Sequence, residues 1–356
     1  MISSNNSAIT EVLTPLWQGV LNRPEINLDD DFFDLGGNAS LAVRLVAEIE
    51  KASDRHLRAT AICQAPTIRT MAAFLAEQQT ASSWPLVLLK PGAELPPVFI
   101  AHGIGGSIID FVPLARRIQG WQPIYGMQVR GIDGDEEPLD RVEDMAQYYL
   151  EGIKRLQPDG PYFLIGYSLG GQVVLEMAQR LCADGESVSL LAMLDSYPHS
   201  ADLTLRQRLA SVLKPAKGPL RNLRKLAVCE SISQLIHSVS SKAQASAPRR
   251  LTPDMRRSIE SADLAWERYH PRFYKGRVDF ISAEKVTVFR ADPSAVWGEL
   301  ASQFECETVP GDHVGMITNH VDSLAAALSR RLQEAWHREH EVSGVKDQPS
   351  LMRRRA

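Results

Sequence analysis

The chain has 356 residues, 44% of them hydrophobic and 23% charged, and a net charge of −4. This length predicts two structural units, and the charge excludes a strongly basic nucleic-acid binder. No apolar run reaches the roughly 18 residues of a membrane span. The cysteines are far apart and form no CxxC pair, which argues against a disulfide framework or a metal site and favours a reducing cytoplasm. They are Cys63, Cys182, Cys229 and Cys306.

Residues 8–78 are predicted to form a compact helical domain. The segments AITEVLTPLWQGVL, LAVRLVAEIEK and TIRTMAAFLAEQQ each space apolar residues at helical intervals. An acidic stretch, LDDDFFDLGG, lies between the first two. From Glu11 to Glu77 there are ten acidic residues against six basic ones, so this domain would suit a basic partner surface.

Residues 79–96 are rich in Ser, Pro and Gly and are predicted to be a linker or the entry to the next domain. From 97 to 338, apolar runs such as PVFIAHG, PIYGMQV, YFLIGYS and SLLAMLDS alternate with amphipathic segments. This alternation predicts a mostly parallel sheet with helices on both faces. An insertion at about 201–275 is helical in character and holds 15 basic residues against six acidic ones. Residues 339–356 are predicted to be a disordered basic tail.

A serine lies in a GxSxG pattern, within the stretch YFLIGYSLGGQVVLEMA. An apolar run precedes Ser168 and an amphipathic segment follows it, which is the strand-to-helix context of a nucleophile elbow. Small residues on either side let the strand and the helix approach closely, and the helix N-terminus brings backbone N–H groups near the hydroxyl. We therefore predict that Ser168 is a catalytic nucleophile rather than part of a structural turn.

A serine hydroxyl needs a general base, and the base needs an acid to orient it. In this fold class the chain order is serine, acid, histidine. His313 follows the last predicted strand on the loop VPGDHVGM and is the predicted base. Asp195 ends the buried strand LLAMLD, where an unpaired carboxylate would be costly, and is the predicted acid. The alternative acids are Asp279, Glu284, Asp292 and Asp312. The other histidines are predicted to have surface or packing roles: His56, His102, His199, His237, His270, His320, His337 and His340.

Acyl transfer also needs backbone donors for the oxyanion of a tetrahedral intermediate. The N–H of Leu169, directly after the nucleophile, is one predicted donor. The glycine-rich loop FIAHGIGGS follows an earlier strand and lets the backbone approach a substrate. We predict that Ile104, in this loop, supplies the second N–H.

Taken together, the motifs HGIGGS, GYSLGGQ, LLAMLDSYP and VPGDHVGM resemble the type I thioesterase domains that end nonribosomal peptide synthetases. LWQGVL, DDFFDLGG and LAVRLVAEIE resemble a peptidyl carrier domain. The resemblance implies a four-helix carrier bundle followed by an α/β-hydrolase domain with a helical lid at 201–275. It implies that Ser168 takes an acyl or peptidyl chain from a carrier thioester and releases it by hydrolysis or macrocyclisation.

The same resemblance implies partners and leaves alternatives open. The implied partners are upstream condensation and adenylation domains, the chain's own carrier domain and, for a serine-bearing carrier, a phosphopantetheinyl transferase. Neither nucleic acid nor membrane is implied. The lid's basic residues are hypothesised to face the acidic carrier and its phosphate. The alternatives are a releasing thioesterase of a polyketide or hybrid synthase, a carboxylesterase acting on untethered substrates, and a non-catalytic docking scaffold.

The carrier motif departs from its family at the position that bears the prosthetic arm. Carriers of this kind have alanine, arginine and leucine three, five and six residues beyond the attachment serine. Counted from Ala39, these positions hold Ala42, Arg44 and Leu45; counted from Ser40, none of the three matches. We therefore predict that Ala39 replaces the serine and that 4′-phosphopantetheine does not attach to this chain. The hypothesis is a deliberate substitution that keeps the carrier unmodified; a naturally inactive carrier is the alternative.

Overall fold

The structure, a computed structural model, describes residues 6–53, 55–77, 85–132, 136–199, 252–285 and 292–342. Its first unit is helical and contains α1 (Asn6–Leu21), α2 (Ala39–Ser53), α3 (Ala61–Gln64) and α4 (Ile68–Ala76). Within the described ranges, no helix combines the length and the apolar character needed to cross a membrane.

The helical unit has its own hydrophobic core, built from the apolar stripes that the sequence places on one face of each helix. Asn38 starts α2, since its side-chain oxygen accepts a hydrogen bond from the backbone N–H of Leu41 at 3.1 Å. Thr67 starts α4 with a reciprocal capping box to Thr70. The buried residues of this core include Leu13, Trp17, Phe32, Leu45, Ile49, Ile62, Ile68 and Met71.

The second unit is built on one sheet of seven strands in the order β1-β3-β2-β4-β5-β6-β7. The strands are β1 (Leu86–Lys90), β2 (Val98–Ala101), β3 (Ile124–Met127), β4 (Tyr162–Tyr167), β5 (Val188–Leu194), β6 (Tyr274–Ala283) and β7 (Ala301–Val309). β1 pairs with β3 in the antiparallel sense, and the other neighbouring strands are parallel. Because parallel strands align their carboxyl ends at one edge, the loops after β2, β4, β5 and β7 meet there.

Helices cover both faces of this sheet, as the sequence predicts. On one face lie α5 (Val112–Arg117) and α10 (Val321–Val342). On the other lie α6 (Val142–Leu156), α7 (Leu169–Ala183), α8 (Pro253–Arg268) and α9 (Pro293–Trp297). The central strands are buried on both sides, so β4 reads as an almost continuous apolar run. The predicted α/β architecture is thus confirmed.

Three predicted boundaries differ from the structure. Residues 79–96 contain β1, a short edge strand whose flanking prolines and serines give the sequence a linker-like composition. β6 begins at Tyr274, slightly before the predicted end of the insertion. α8, which the prediction assigns to the insertion, packs into the hydrophobic core on one face of the sheet. α10 continues to Val342, past the predicted end of the domain at 338. Most of the predicted lid (201–251) and the end of the predicted tail (343–356) lie outside the described residues.

Candidate active site

Ser168 occupies a sharp turn between β4 and α7. Its backbone has φ 54° and ψ −122°, a conformation that a non-glycine residue rarely adopts. The turn needs glycine on both sides of the serine. A Cβ on Gly166 would lie 2.2 Å from the carbonyl oxygen of Gly170, and a Cβ on Gly170 would lie 2.4 Å from that of His102. The GxSxG pattern therefore follows from how closely strand, helix and the loop after β2 approach one another.

Ser168, His313 and Asp195 form one chain of hydrogen bonds at the carboxyl edge of the sheet. The Oγ of Ser168 lies 3.2 Å from Nε2 of His313, and Nδ1 of His313 lies 2.8 Å from Oδ2 of Asp195. All three residues are buried, with exposures of 4%, 5% and 7% for Ser168, His313 and Asp195. Because an ionised carboxylate only accepts hydrogen bonds, Nδ1 carries the imidazole proton. The lone pair of Nε2 then faces the serine hydroxyl, which is the arrangement of a general base.

Asp195 is fixed in place by the neighbouring strand. Its backbone has φ 42°, and its N–H donates to the carbonyl of Ile281 at 2.8 Å. Its Oδ1 accepts a hydrogen bond from the N–H of Ala283 at 3.3 Å, which leaves Oδ2 directed at His313. The two carboxylate oxygens are therefore held separately, Oδ1 by β6 and Oδ2 by His313, and the side chain cannot rotate freely.

The structure places the other candidate acids in different roles. Asp279 is buried on β6 in ion pairs with Arg277 and Arg331. Asp312, next to His313 in the chain, accepts a hydrogen bond from the N–H of Gly315 at 2.7 Å and so shapes the histidine's own loop. The remaining two follow β6 and precede α9, respectively: Glu284 and Asp292.

Tyr167 supports the histidine and was not identified from the sequence. Its hydroxyl donates to the backbone carbonyl of His313 at 2.7 Å, and the two rings stack with centroids 4.8 Å apart. Burial, with smaller contributions from Asp195, Asp312 and Asp110, raises the pKa of Tyr167 well above its usual value of 10. The phenol therefore stays protonated and remains a donor. An aromatic residue directly before Ser168 in the GxSxG pattern was the available signal.

The loop after β2, in which the sequence predicts an oxyanion donor, lies against Ser168. A Cβ on Gly103 would lie only 3.3 Å from the Cβ of Ser168, so the backbone of residues 103–104 passes beside the serine. Ile104 is buried there, and Leu169 follows Ser168 at the start of α7. Helical N-termini present N–H groups that stabilise negative charge. The two predicted donors thus lie on the two segments that border the serine.

His102 holds this loop in shape. Its Nδ1 lies 2.6 Å from the carbonyl of Gly103, and its Nε2 lies 2.7 Å from the hydroxyl of Tyr149. Because a carbonyl only accepts, Nδ1 carries the proton and Nε2 accepts from Tyr149. Burial lowers the pKa of His102 from 6.5 to about 4, partly offset by the hydrogen bond to Gly103. The ring is therefore neutral near pH 7.

In the helical unit, Ala39 is the first residue of α2 and is buried, whereas Ser40 is exposed. Ala39, Ala42 and Leu45 share the buried face of the helix. A phosphopantetheine arm needs a side-chain hydroxyl at its attachment position, and Ala39 has none. The residues present do not fit an attached arm at this position.

Each of the two units matches a known protein family. The thioesterase domain family matches residues 96–332, and the phosphopantetheine attachment site family matches residues 11–75. The first match covers more than half of the chain, which therefore belongs to the thioesterase domain family and is a hydrolase acting on thioesters. The helical unit is accordingly called the carrier below.

Similar curated proteins include nonribosomal peptide synthetases. The chain is 42% identical over 190 residues to a dimodular nonribosomal peptide synthase of Bacillus subtilis, covering 53% of this chain and 8% of that protein. It is 37% identical over 179 residues to the indigoidine synthase of Dickeya dadantii, covering 50% of this chain and 12% of that protein. The chain therefore spans only a small fraction of the length of these relatives.

Solved structures show the same folds. A holo four-domain nonribosomal peptide synthetase bound to AMP and glycine aligns over 90% of this chain and 26% of its own, with a TM-score of 0.56 and 24% identity. The type II thioesterase BorB aligns over 71% of this chain and 100% of its own, with a TM-score of 0.54 and 19% identity. At these identities the likeness concerns the fold alone.

Proposed function

We propose that this chain releases an acyl or peptidyl product from a nonribosomal peptide synthetase, with Ser168 as the covalent nucleophile. The observation that carries the proposal is the buried hydrogen-bond chain from Ser168 through His313 to Asp195, in a chain of the thioesterase family. Its similarity to a dimodular nonribosomal peptide synthase of Bacillus subtilis supports the choice of substrate class.

The proposed reaction has two steps. In the first, Nε2 of His313 takes the proton of Ser168 as Oγ attacks the carbonyl carbon of a thioester. The N–H groups of Leu169 and Ile104 stabilise the oxyanion, and the carbon–sulfur bond then breaks as His313 returns the proton to the leaving thiol. The product of this step is an ester on Ser168.

In the second step, water or a nucleophile of the bound chain attacks that ester. His313 accepts the attacking group's proton and delivers it to Oγ as Ser168 leaves. Asp195 stabilises the imidazolium that forms in both steps and does not itself take a proton. The product is a free acid when water attacks and a macrocycle when the chain's own amine or hydroxyl attacks.

Covalent labelling tests the nucleophile. A fluorophosphonate should label the chain at Ser168 by peptide mapping, and Ser168→Ala should abolish the label. Ser302→Ala, which alters an exposed serine on β7, is the matched control and should label normally. A label on another serine, or none, would refute the assignment.

A pair of substrates tests the reaction class. An acyl-pantetheine thioester should be hydrolysed faster than the oxoester with the same acyl group, and the reaction should depend on Ser168. Faster turnover of the oxoester would favour a carboxylesterase. With peptidyl thioesters of increasing length, the mass of the released product distinguishes a free acid from a macrocycle.

A further inference from the structure

The chain that carries Asp195 leaves β5 in a strained and irregular conformation. Asp195 has φ 42°, and a non-glycine residue keeps such a backbone only where its surroundings hold it in place. Ser196 and Tyr197 follow outside any helix or strand and are 0% and 5% exposed. Their buried carbonyl groups therefore need hydrogen-bond donors from other parts of the molecule.

Three buried side chains supply these donors. Nε1 of Trp297, on α9, donates to the carbonyl of Ser196 at 2.9 Å. Nε1 of Trp266, on α8, and Nε2 of Gln172, on α7, donate to the carbonyl of Tyr197 at 3.0 Å and 2.6 Å. Side chains from three separate helices thus converge on two consecutive peptide groups directly after the acid.

The backbone of Asp195 is therefore held at both ends. Its own N–H donates to the carbonyl of Ile281 on β6, and the next carbonyl, that of Ser196, is bound by Trp297. Between these two fixed points the carboxylate lies 2.8 Å from Nδ1 of His313. A displacement of the chain at Ser196 would turn the carboxylate away from the imidazole, because the two groups are covalent neighbours.

The same loop lies directly against the helix that follows Ser168. A Cβ on Gly171, in the first turn of α7, would lie 2.4 Å from Oγ of Ser196. Only a glycine at this position lets the loop come so close. The donors that fix the loop therefore also fix the distance between the segment bearing the acid and the helix that begins at Ser168.

We propose that the indole N–H groups of Trp297 and Trp266 are positioning groups that hold the carboxylate of Asp195 on His313. The proposal rests on the proposed function, since it assigns these indoles to the same hydrogen-bond chain. Among the residues that the structure describes, the Ser196 carbonyl accepts only from Trp297, whereas Trp266 shares the Tyr197 carbonyl with a second donor. Trp297 is therefore the more important of the two.

Kinetics of thioester hydrolysis test the stronger indole. Trp297→Phe keeps an aromatic ring and removes the N–H, and it should lower kcat about tenfold, because small displacements of a catalytic group are costly. KM should stay nearly constant, since the indole acts through Asp195. Trp336→Phe is the matched control: Trp336 stacks on Phe163 at the opposite face of the sheet and should retain kcat. Equal kcat values in the two variants would overturn the proposal.

A double-mutant cycle separates positioning from a general effect on folding. In an Asp195→Asn background, Trp297→Phe should add less than about a twofold loss of residual kcat, because the carboxylate through which it acts is gone. The loss of stability in denaturant should be the same in both backgrounds. A tenfold loss of kcat that persists without the carboxylate would refute the positioning role.

The two donors of Tyr197 give a second test that spares Trp297. Gln172→Met and Trp266→Phe should each lower kcat less than about twofold, because one donor remains on the carbonyl. The two changes together should lower it about tenfold. A combined loss equal to the product of the single losses would show that the two donors do not act on one group.

Proton NMR tests the geometry without any substrate. The Nδ1 proton of His313, held by the carboxylate, should give a downfield resonance that Asp195→Asn abolishes. Trp297→Phe should shift or broaden this resonance, and Trp336→Phe should leave it unchanged. An unaltered resonance in Trp297→Phe would overturn the positioning. A parent chain that shows the resonance but hydrolyses no thioester would instead overturn the proposed function, so the two failures are distinguishable.

Discussion

Two helices of this chain begin at a position where serine chemistry is expected, and the two N-termini are built very differently. α2 begins with Ala39 in ordinary helical backbone, with Asn38 as its cap. α7 begins after Ser168, whose backbone is strained and whose hydroxyl faces a histidine. Both ends attract negative charge by the same unpaired N–H groups.

The difference follows from where the chemistry of each site is supplied. For the carrier we expect a separate transferase to modify a serine, which requires only a hydroxyl at the start of α2. A nucleophile must be activated within its own domain, which requires a strained turn, a base and an orienting acid. On this expectation one substitution is enough to disable the first site, whereas the second site depends on many residues.

The largest expected effect is on attachment of the prosthetic arm to the carrier, which is all or none. The chain as it stands should gain no mass when it is incubated with a phosphopantetheinyl transferase and coenzyme A. Ala39→Ser should gain the mass of one arm, because residue 39 then carries the hydroxyl. Adding Ser40→Ala to Ala39→Ser is the control and should not prevent the gain. Modification of the parent chain at Ser40 would show that the attachment position is misassigned.

The next largest effect is expected at Asp195, the proposed acid of the site. Asp195→Asn should lower the kcat of thioester hydrolysis by roughly a thousandfold or more, because an amide no longer holds the proton of His313 on Nδ1. Asp312→Asn changes the acid beside the histidine, which caps Gly315 instead. That control should lower kcat by only a few fold. Comparable losses in the two variants would contradict the role assigned to Asp195.

His102, in the loop after β2, should make the free energy of unfolding depend on pH. The pKa of His102 is lowered from 6.5 to about 4 in the folded chain, so between these values the unfolded chain binds the additional proton. The contribution of neutral His102 to the free energy of unfolding is therefore fully present above about pH 6.5, and it is lost as the pH falls towards 4. The loss amounts to roughly 3 kcal/mol.

Denaturant unfolding at a series of pH values measures this effect. His102→Asn should reduce the dependence of the free energy of unfolding on pH in that window. His337→Asn, at an exposed position on α10, should leave it unchanged. A slope that survives in His102→Asn would show that other groups cause it.

The smallest effect is expected at Tyr167. Tyr167→Phe keeps the ring that stacks on His313 and removes the hydrogen bond to its carbonyl, which is worth about 1 kcal/mol. The kcat should fall a few fold with little change in KM, because the bond positions the base and does not bind substrate. Tyr125→Phe, at a partly buried tyrosine on β3, is the matched control. A rise in KM at constant kcat would place Tyr167 in substrate binding instead.

The sequence predicted the two-unit organisation, the α/β fold and the residues at the carboxyl edge of the sheet. It could do so because these features leave local patterns: apolar runs for buried strands, GxSxG for a tight turn at Ser168, and polar residues where strands end at Asp195 and before His313. The edge strand β1 was missed, since its composition resembles a linker and its pairing with β3 is not local.

The tertiary structure alone decided which distant side chains meet. His313 is 118 residues from Asp195 and 145 from Ser168, and spacing in the sequence does not say which acid reaches the ring. The support from Tyr167 and the contacts of Trp266 and Trp297 with the loop after Asp195 are equally non-local. Their residue types are ordinary in their own segments, and they acquire a role only when folding brings a second segment against them.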